Sequence, residues 1–504
     1  MGGSVVESER IGVLNHKPVL AQRAYVLYWM EASARALANH ALEYAMERAN
    51  ALDKPLVACY GVADDADYYN LRHCTFLLEG LHELQQHLLC KRQVPLYVLR
   101  GDPAQVALQC ARQAACEVVT DRGYLRHQRQ WRERVAAELD CRLTQVESEA
   151  VVPVELASDR HEFAARTLRP RVWRYIQRFC QAPAEVPLRV GQRGSTVVDI
   201  GSLKRLLPPE EEGVDAERAV TEALSHLQHM DRSVAPVSQY FRGGTQQALR
   251  RLQEFCEGAL RHYNDGRNRP ESSLTSRLSP YLHFGHISPI TVALAAWQAP
   301  QVKREDRDAF IEELIVRREL SFNHCWYARD DYDRLRCLPE WALLTGKQHE
   351  HDRRDVLYDL EALEHARTAD EYWNAAQNEM VYSGRMHGMM RMYWAKKVIE
   401  WTASWQQACE WLIHLNDKYE VDGWDPNSYV GVLWCFGLHD RAHMERPIFG
   451  KLRWMSRGGL ERKFHMPAYV ALVAVLQRGG SMEEAQRAAD RIASQKAVKR
   501  ARRK

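Results

Sequence analysis

The feature that most constrains this chain is a series of short, almost unbroken apolar runs separated by helix-length segments near its start. They are AYVLYWM from Ala24, PLVACYGV over 55–62, VPLYVLRG over 94–101, EVVTD over 117–121 and CRLTQV over 141–146. A strand that is apolar along its whole length has both faces covered, and parallel neighbours need a crossover of helix length. The runs therefore predict an α/β domain with a doubly wound parallel sheet over residues 21–150. Such sheets bind nucleotides or flavins where the strand order reverses, but no GxGxxG follows the first run, so the ligand of this domain stays open.

With 504 residues the chain exceeds what one core usually supports, and a second domain is expected. Residues 1–20 read as a flexible N-terminus. Residues 151–235, with the acidic PPEEEGVDAE over 208–217, read as an interdomain linker. From about Gln239 apolar residues recur at helical spacing, as in FIEELIVRRELSFNHCWY and MHGMMRMYWAKKVIEWT, so 236–485 should be a mainly α-helical domain. Residues 486–504 form a basic tail with Lys496, Lys499, Arg500, Arg502, Arg503 and Lys504, read as a disordered arm.

Composition excludes little. A net charge of +3 does not announce a nucleic-acid binder, because phosphate contact depends on where Lys and Arg cluster. No apolar run approaches the roughly 20 residues of a membrane span, so no membrane association is expected. The opening MGGSVVESER lacks an apolar signal stretch, and the twelve cysteines show no CxxC pair, so a reduced cytoplasmic protein without a metal is expected. Fourteen tryptophans is a high count, for which bulky core filler is the plain reading.

The segment TSRLSPYLHFGHIS, Thr275 to Ser288, is a loop of small hydroxyl residues leading past Pro280 into an apolar stretch. It suits hydrogen bonds to phosphate at a helix start, and equally a simple capping loop. In order behind it come EELIVRRELSFN, WNAAQNEM, GRMHGMMRMYWAKKVIEWT, LNDKYEVDGWDPN and ERPIFGKLRWM. Together, from about Tyr263 to Phe464, these motifs resemble the class II cyclobutane pyrimidine dimer photolyases of the photolyase and cryptochrome family. The resemblance implies one FAD per chain in the helical domain, active when reduced, and a monomer acting on UV-damaged DNA, nucleoid-associated if the source is bacterial. It also leaves room for a second, light-harvesting chromophore, a deazaflavin or a folate, on the N-terminal domain.

Carried over residue by residue, the resemblance puts the flavin phosphates on Thr275, Ser276, Leu278 and Ser279, with Tyr263 upstream. It makes Arg391 and Asp422 a charge pair beside the flavin ring and Asn416 the amide facing flavin N5. Glu313 matches the dimer-facing carboxylate, although Glu312 alongside leaves the register open. Arg267, Asn268, Met392 and Trp434 match the lesion pocket, where a base stacked on an aromatic face gains roughly 1–3 kcal/mol. Trp394, Trp373 and Trp401 coincide with a photoreduction chain, Trp394 being next to the flavin. Arg441, Arg446, Lys451, Arg453, Arg457, Arg462 and Lys463, interleaved with Phe449, Trp454 and Phe464, form a candidate DNA face.

Without the family, each motif has a plainer reading: interhelix packing for Tyr263, a turn for Arg267 and Asn268, a cap for Asn416, a helix-surface ion pair for Glu313 and a Trp-rich core for the tryptophans. The chain also departs from the class II pattern at Ala442, His443 and Met444, at Trp424, at Trp454, and at MEASAR in the expected first helix. Two rival functions follow: a cryptochrome-like blue-light receptor, which keeps the flavin without the lesion pocket, and a (6-4) photoproduct photolyase, which needs pocket histidines such as His439 and His443. The implied reaction is light-driven electron transfer from reduced FAD to a flipped-out dimer, with the electron returned after ring cleavage.

Overall fold

The structure is a computed structural model describing residues 4–64, 68–112, 114–190, 198–208 and 215–501, with side chains described to 495. All five apolar runs form strands. In chain order the strands are β1 (Ile11–Val13), β2 (Tyr25–Trp29), β3 (Leu56–Val62), β4 (Leu96–Arg100), β5 (Ala115–Asp121), β6 (Arg142–Val146) and β7 (Lys204–Arg205). Their order across the sheet is β1-β6-β5-β2-β3-β4-β7. The inner strands pair in parallel, whereas β1 on β6 and β7 on β4 are antiparallel edges. Every residue of β2, β3 and β5 is buried, as continuous apolar runs require.

The chain leaves β2 toward β3 and β4, then returns to lay β5 and β6 on the other side, so the order reverses between β2 and β5. There Asp121 closes the crevice. Its Oδ2 accepts the N–H groups of Glu31, Ala32 and Ser33 at 2.9–3.0 Å, and its Oδ1 accepts the Tyr28 hydroxyl at 2.8 Å. MEASAR is therefore a loop wrapped on a carboxylate. The first long helix starts only at His40–Leu52, capped by the Asn39 side chain on Leu42 N–H.

Two other expected boundaries change. The N-terminal segment is tied down: β1 pairs with β6, and the buried Arg10 guanidinium donates to the carbonyls of Glu147, Ala150, Val151 and Phe179. Inside 151–235 stand the helices Ala165–Phe179 and Ala216–Ser225 as well as β7, with Leu206 and Leu207 in the core. Most of the acidic stretch 208–217 lies outside the described residues. At the other end, the helix Met482–Ala501 covers most of the expected tail, with Ala485 and Ala489 buried, whereas the side chains of the basic residues from Lys496 on lie outside the described residues.

After Thr245 the chain is helical, and its helices share one apolar core with the sheet, running from Val26 and Tyr28 to Trp394 and Leu433. A smaller core with Leu27, Trp29 and Val57 covers the other sheet face. The junction is polar. Glu149 accepts from Ser33 at 2.7 Å and Arg35 at 2.6 Å and lies 3.7 Å from Arg318 of the helix Arg318–Ala328. Gly285, at φ +70°, lets the helical half approach so closely that a Cβ there would sit 2.0 Å from the Ala32 carbonyl oxygen. Among the described residues no helix is long and apolar enough to cross a membrane.

Replacing Asp121 with Ala orphans two buried N–H donors, the part-buried Ala32 N–H and the Tyr28 hydroxyl at once. We expect Asp121→Ala to lose about 3 kcal/mol or more in denaturant unfolding; a loss below about 0.5 kcal/mol would show that the loop does not depend on this carboxylate.

Candidate functional site

A cavity of about 500 Å³ opens among the helices of the C-terminal half. Its volume is that of a typical small-molecule or cofactor site. Tyr263, Thr275, Ser276, Leu278, Ser279, Glu313, Arg391, Met392, Asp422 and Trp434 all line it, so residues dispersed along the sequence converge on one space. A larger open cleft of about 1030 Å³ beside Asp417 and Trp424 is lined by none of the expected site residues.

One wall is built for negative charge. The 275–279 loop turns at Arg277, whose φ of +55° lies in the left-handed region. Burial, with Arg385 and Arg251 nearby, lowers the Arg277 guanidinium to about 9; an anion bound there would reverse that shift. The following helix, Ser279–His283, is a single short turn, so arginine charge rather than a helix dipole gives this wall its sign. Arg277 and Arg385 were not singled out from the sequence, because isolated arginines in a loop carry no pattern.

The charge pair also differs from expectation. Arg391, on the helix Gly388–Trp401, pairs with Glu420 at 3.0 Å, and Asp422 lines the cavity close by. Burial pushes the Glu420 carboxyl up to about 8, Arg391 pulls it down, and Asp422 and Glu379 push it further up. Arg391 Nε and Glu420 Oε2 are buried without a hydrogen-bond partner in the protein. Unpaired polar atoms on a cavity wall fit a polar heterocycle with its own donors and acceptors, so the residues present suit a flavin.

Glu313 is placed by a local irregularity. Residues Glu312–Arg317 form a π-helical turn between the helices Arg304–Ile311 and Arg318–Ala328, a distortion common at functional sites. The turn sends Glu312 to Arg169 at 2.6 Å and Arg317 at 3.4 Å, and sends Glu313 to the cavity, where it pairs with Arg267. Asn268 is exposed next to Arg267 and lines no part of the cavity.

Asn416 does not line the cavity either. It is buried in the helix Trp405–Tyr419, and its amide donates to Asp417 Oδ1 at 3.2 Å. The tryptophans do form a line. Trp373 stacks on Trp394 at 6.5 Å between ring centroids and 13° between planes, and meets Trp401 edge-on at 5.6 Å, giving the order Trp394, Trp373, Trp401. Tyr358 packs against the far side of this line, 5.2 Å from Trp401.

On the candidate DNA face, Arg453 lies over the Trp434 ring at 5.2 Å and Arg446 over Trp454 at 4.4 Å. Arg457 lies over Tyr372 among the carboxylates of Asp370, Glu371 and Glu461, so its charge is largely spent within the protein. Phe449 is a core residue and offers no stacking surface, whereas Met444, one of the departures from the class II pattern, is 80% exposed. Neither His439 nor His443 reaches the cavity. At the sheet switch point the described residues enclose voids of about 30 and 40 Å³. Tyr68, stacked on His127 at 4.9 Å and flanked by Trp131 and Trp424, fills that crevice, and this gives Trp424 a packing role where the class II pattern has an arginine.

Because the folded-state value of Glu420 lies above its unfolded value, the native state keeps a proton that the unfolded state has released. The stability tied to that proton is complete below about pH 4.5 and is lost as pH rises toward about 8. Removing the counter-pull of Arg391 deepens the loss. We expect Arg391→Leu to cost about 3 kcal/mol at pH 8 and clearly less at pH 5 in denaturant unfolding; an equal loss at both pH values would contradict the pairing.

Comparison with known proteins shows the family. The DNA photolyase family profile matches residues 26–188. The chain is 45% identical over 466 residues to a deoxyribodipyrimidine photo-lyase of Methanothermobacter thermautotrophicus, covering 92% of this chain and 98% of that protein. It is 37% identical to one from Oryza sativa, covering 89% and 87%, and 35% identical to one from Potorous tridactylus, covering 88% and 80%. Among solved structures, a class III photolyase of Agrobacterium tumefaciens superposes with a TM-score of 0.62 at 19% identity over 82% of this chain and 80% of that one. A cryptochrome of Synechocystis sp. PCC6803 gives 0.66 at 16% identity over 90% and 88%. At such identities these two structures speak for the fold alone, whereas the full-length relatives decide the family: the chain belongs to the DNA photolyase family.

Proposed function

We propose that the cavity holds FAD and that its half-exposed mouth receives a cyclobutane pyrimidine dimer flipped out of DNA, which light then repairs, as in class II enzymes. The observation that carries this reading is that one cavity joins the cationic 275–279 wall and the Arg391–Glu420 pair to Glu313, Met392 and Trp434. The relatives named deoxyribodipyrimidine photo-lyase support the same substrate. Bound and reduced, FAD supplies the photoexcited electron that opens the dimer.

The chain's own residues do the rest. Thr275, Ser276, Ser279 and Arg277 hold the phosphates, and Arg391 sets positive charge beside the flavin ring. Asn416 joins the flavin contacts only by turning its amide away from Asp417. Glu313, steadied by Arg267, offers a carboxylate to the pyrimidine edge. Trp434, backed by Arg453, gives a face for stacking, and Met392 fills the space beside it. A dimer stacked in duplex DNA cannot reach this space, so the lesion must be extruded, which its distorted pairing makes easier. Trp401, Trp373 and Trp394 pass an electron inward to keep the flavin reduced, a task separate from repair. The lesion mouth is what a signalling receptor would not need.

Two variants separate the tasks. Trp373→Phe should block photoreduction of oxidised protein yet leave repair by chemically reduced protein within about twofold, because the relay only charges the cofactor. Glu313→Ala should keep flavin content and photoreduction while lowering the repair yield about 10²-fold, the scale of losing one positioned electrostatic group. Repair at the parent rate in Glu313→Ala would remove Glu313 from the lesion site.

A further inference from the structure

Three histidines on distant segments meet outside the lining of the cavity. His161 follows the helix Val154–Ala157, His324 lies in Arg318–Ala328, and His439 stands in the turn after Pro426–Trp434. One ring nitrogen from each lies within 4.8 Å of the others. His324 Nδ1 is 3.0 Å from His161 Nε2. The outer nitrogens of the two less exposed rings are already committed: His324 Nε2 to the Tyr332 carbonyl at 3.0 Å and His439 Nδ1 to the Phe163 carbonyl at 2.9 Å. A backbone carbonyl on the far nitrogen is how proteins fix the tautomer and aim of a metal-ligating imidazole.

His439 Nε2, the atom turned toward the cluster, is buried with no partner. Its residue holds a left-handed φ of +58°, unusual for a side chain with a Cβ. We propose that His161, His324 and His439 form a binding site for a divalent late transition-metal ion of the zinc type, with water in the fourth position on the exposed His161 side. Three imidazole nitrogens about 2.0 Å from one zinc ion stand about 3.3 Å apart, so a small inward shift of the exposed His161 ring and of the His439 turn completes the geometry.

The ion would act as a brace. His324 is on the helix that continues the turn carrying Glu313, and His439 is five residues beyond Trp434, so one ion links the supports of both sides of the lesion mouth. Imidazole ligands without thiolate or carboxylate select zinc, nickel, cobalt or copper over magnesium and calcium.

The test uses the full-length flavoprotein, stripped with a chelator and titrated with Zn²⁺ against a chromophoric competitor, then with Co²⁺ as a spectroscopic reporter. We expect one equivalent of tightly held zinc, a rise in Tm, and a Co²⁺ d–d spectrum without the intense thiolate bands that the chain's twelve cysteines would give. His161→Ala and His439→Ala should each weaken binding at least about tenfold while flavin content and far-UV circular dichroism stay at parent values. Absence of zinc binding, a thiolate spectrum, or binding unchanged in both variants would overturn the site and leave His161 and His324 as a plain hydrogen-bonded pair.

Discussion

The structure depends on how the helical half is held against the carboxyl edge of the sheet, and that hold centres on Glu149. Its carboxylate gathers Ser33 and Arg35 from the loop after β2 and lies 3.7 Å from Arg318 of the cavity wall. Arg35 also reaches the Gly285 carbonyl at 3.1 Å, so the segment just past the 275–279 loop is fixed to the same point. Buried charges of this kind add modest net stability, but they allow one geometry and leave an unpaired charge in any other. The cavity inherits its shape from that junction. Sheet and helices share an apolar core, and Asp121 at the switch point ties the loop that supplies Arg35.

Inside the cavity the chain keeps arrangements that stability alone would remove. Arg277 is desolvated among other arginines, and Glu420 is a buried carboxyl with two carboxylates near it. Perturbed groups of this kind mark places where a ligand completes the electrostatics. Here the sign changes along the wall, from cationic at the 275–279 loop to mixed at Arg391, Glu420 and Asp422. A dinucleotide whose pyrophosphate lies between two ring systems suits that sequence of charges, with the phosphates at the 275–279 loop and the polar ring at Arg391, Glu420 and Asp422.

Much of this was legible in the sequence, for physical reasons that differ from place to place. The inner strands were readable because burial on both faces demands continuous apolar runs; β1 and β7 were not, because edges of three and two residues, such as Ile11–Val13 and Lys204–Arg205, carry no such demand. The cavity lining from Tyr263 to Trp434 came from long motifs in order, each weak alone. The choice between Glu312 and Glu313 could not be read, since a π-helical turn shifts the facing by a residue that regular periodicity does not anticipate. Asn416 and Phe449 show where matching motifs leave the side chain's surroundings open. Their motifs match, yet one amide turns to Asp417 and the other ring belongs to the core. Trp424, a departure from the class II pattern, packs near Tyr68, a neighbour set by tertiary structure.

The measurement that bears most directly on the account is single-turnover conversion, by fully reduced protein under blue light, of two matched oligonucleotides, one with a cyclobutane dimer and one with a (6-4) photoproduct, each with a dark control. The account predicts restoration of the pyrimidine absorbance for the cyclobutane dimer alone and only in the light. Restoration of the (6-4) lesion, or light-dependent flavin chemistry with neither lesion repaired, would contradict it.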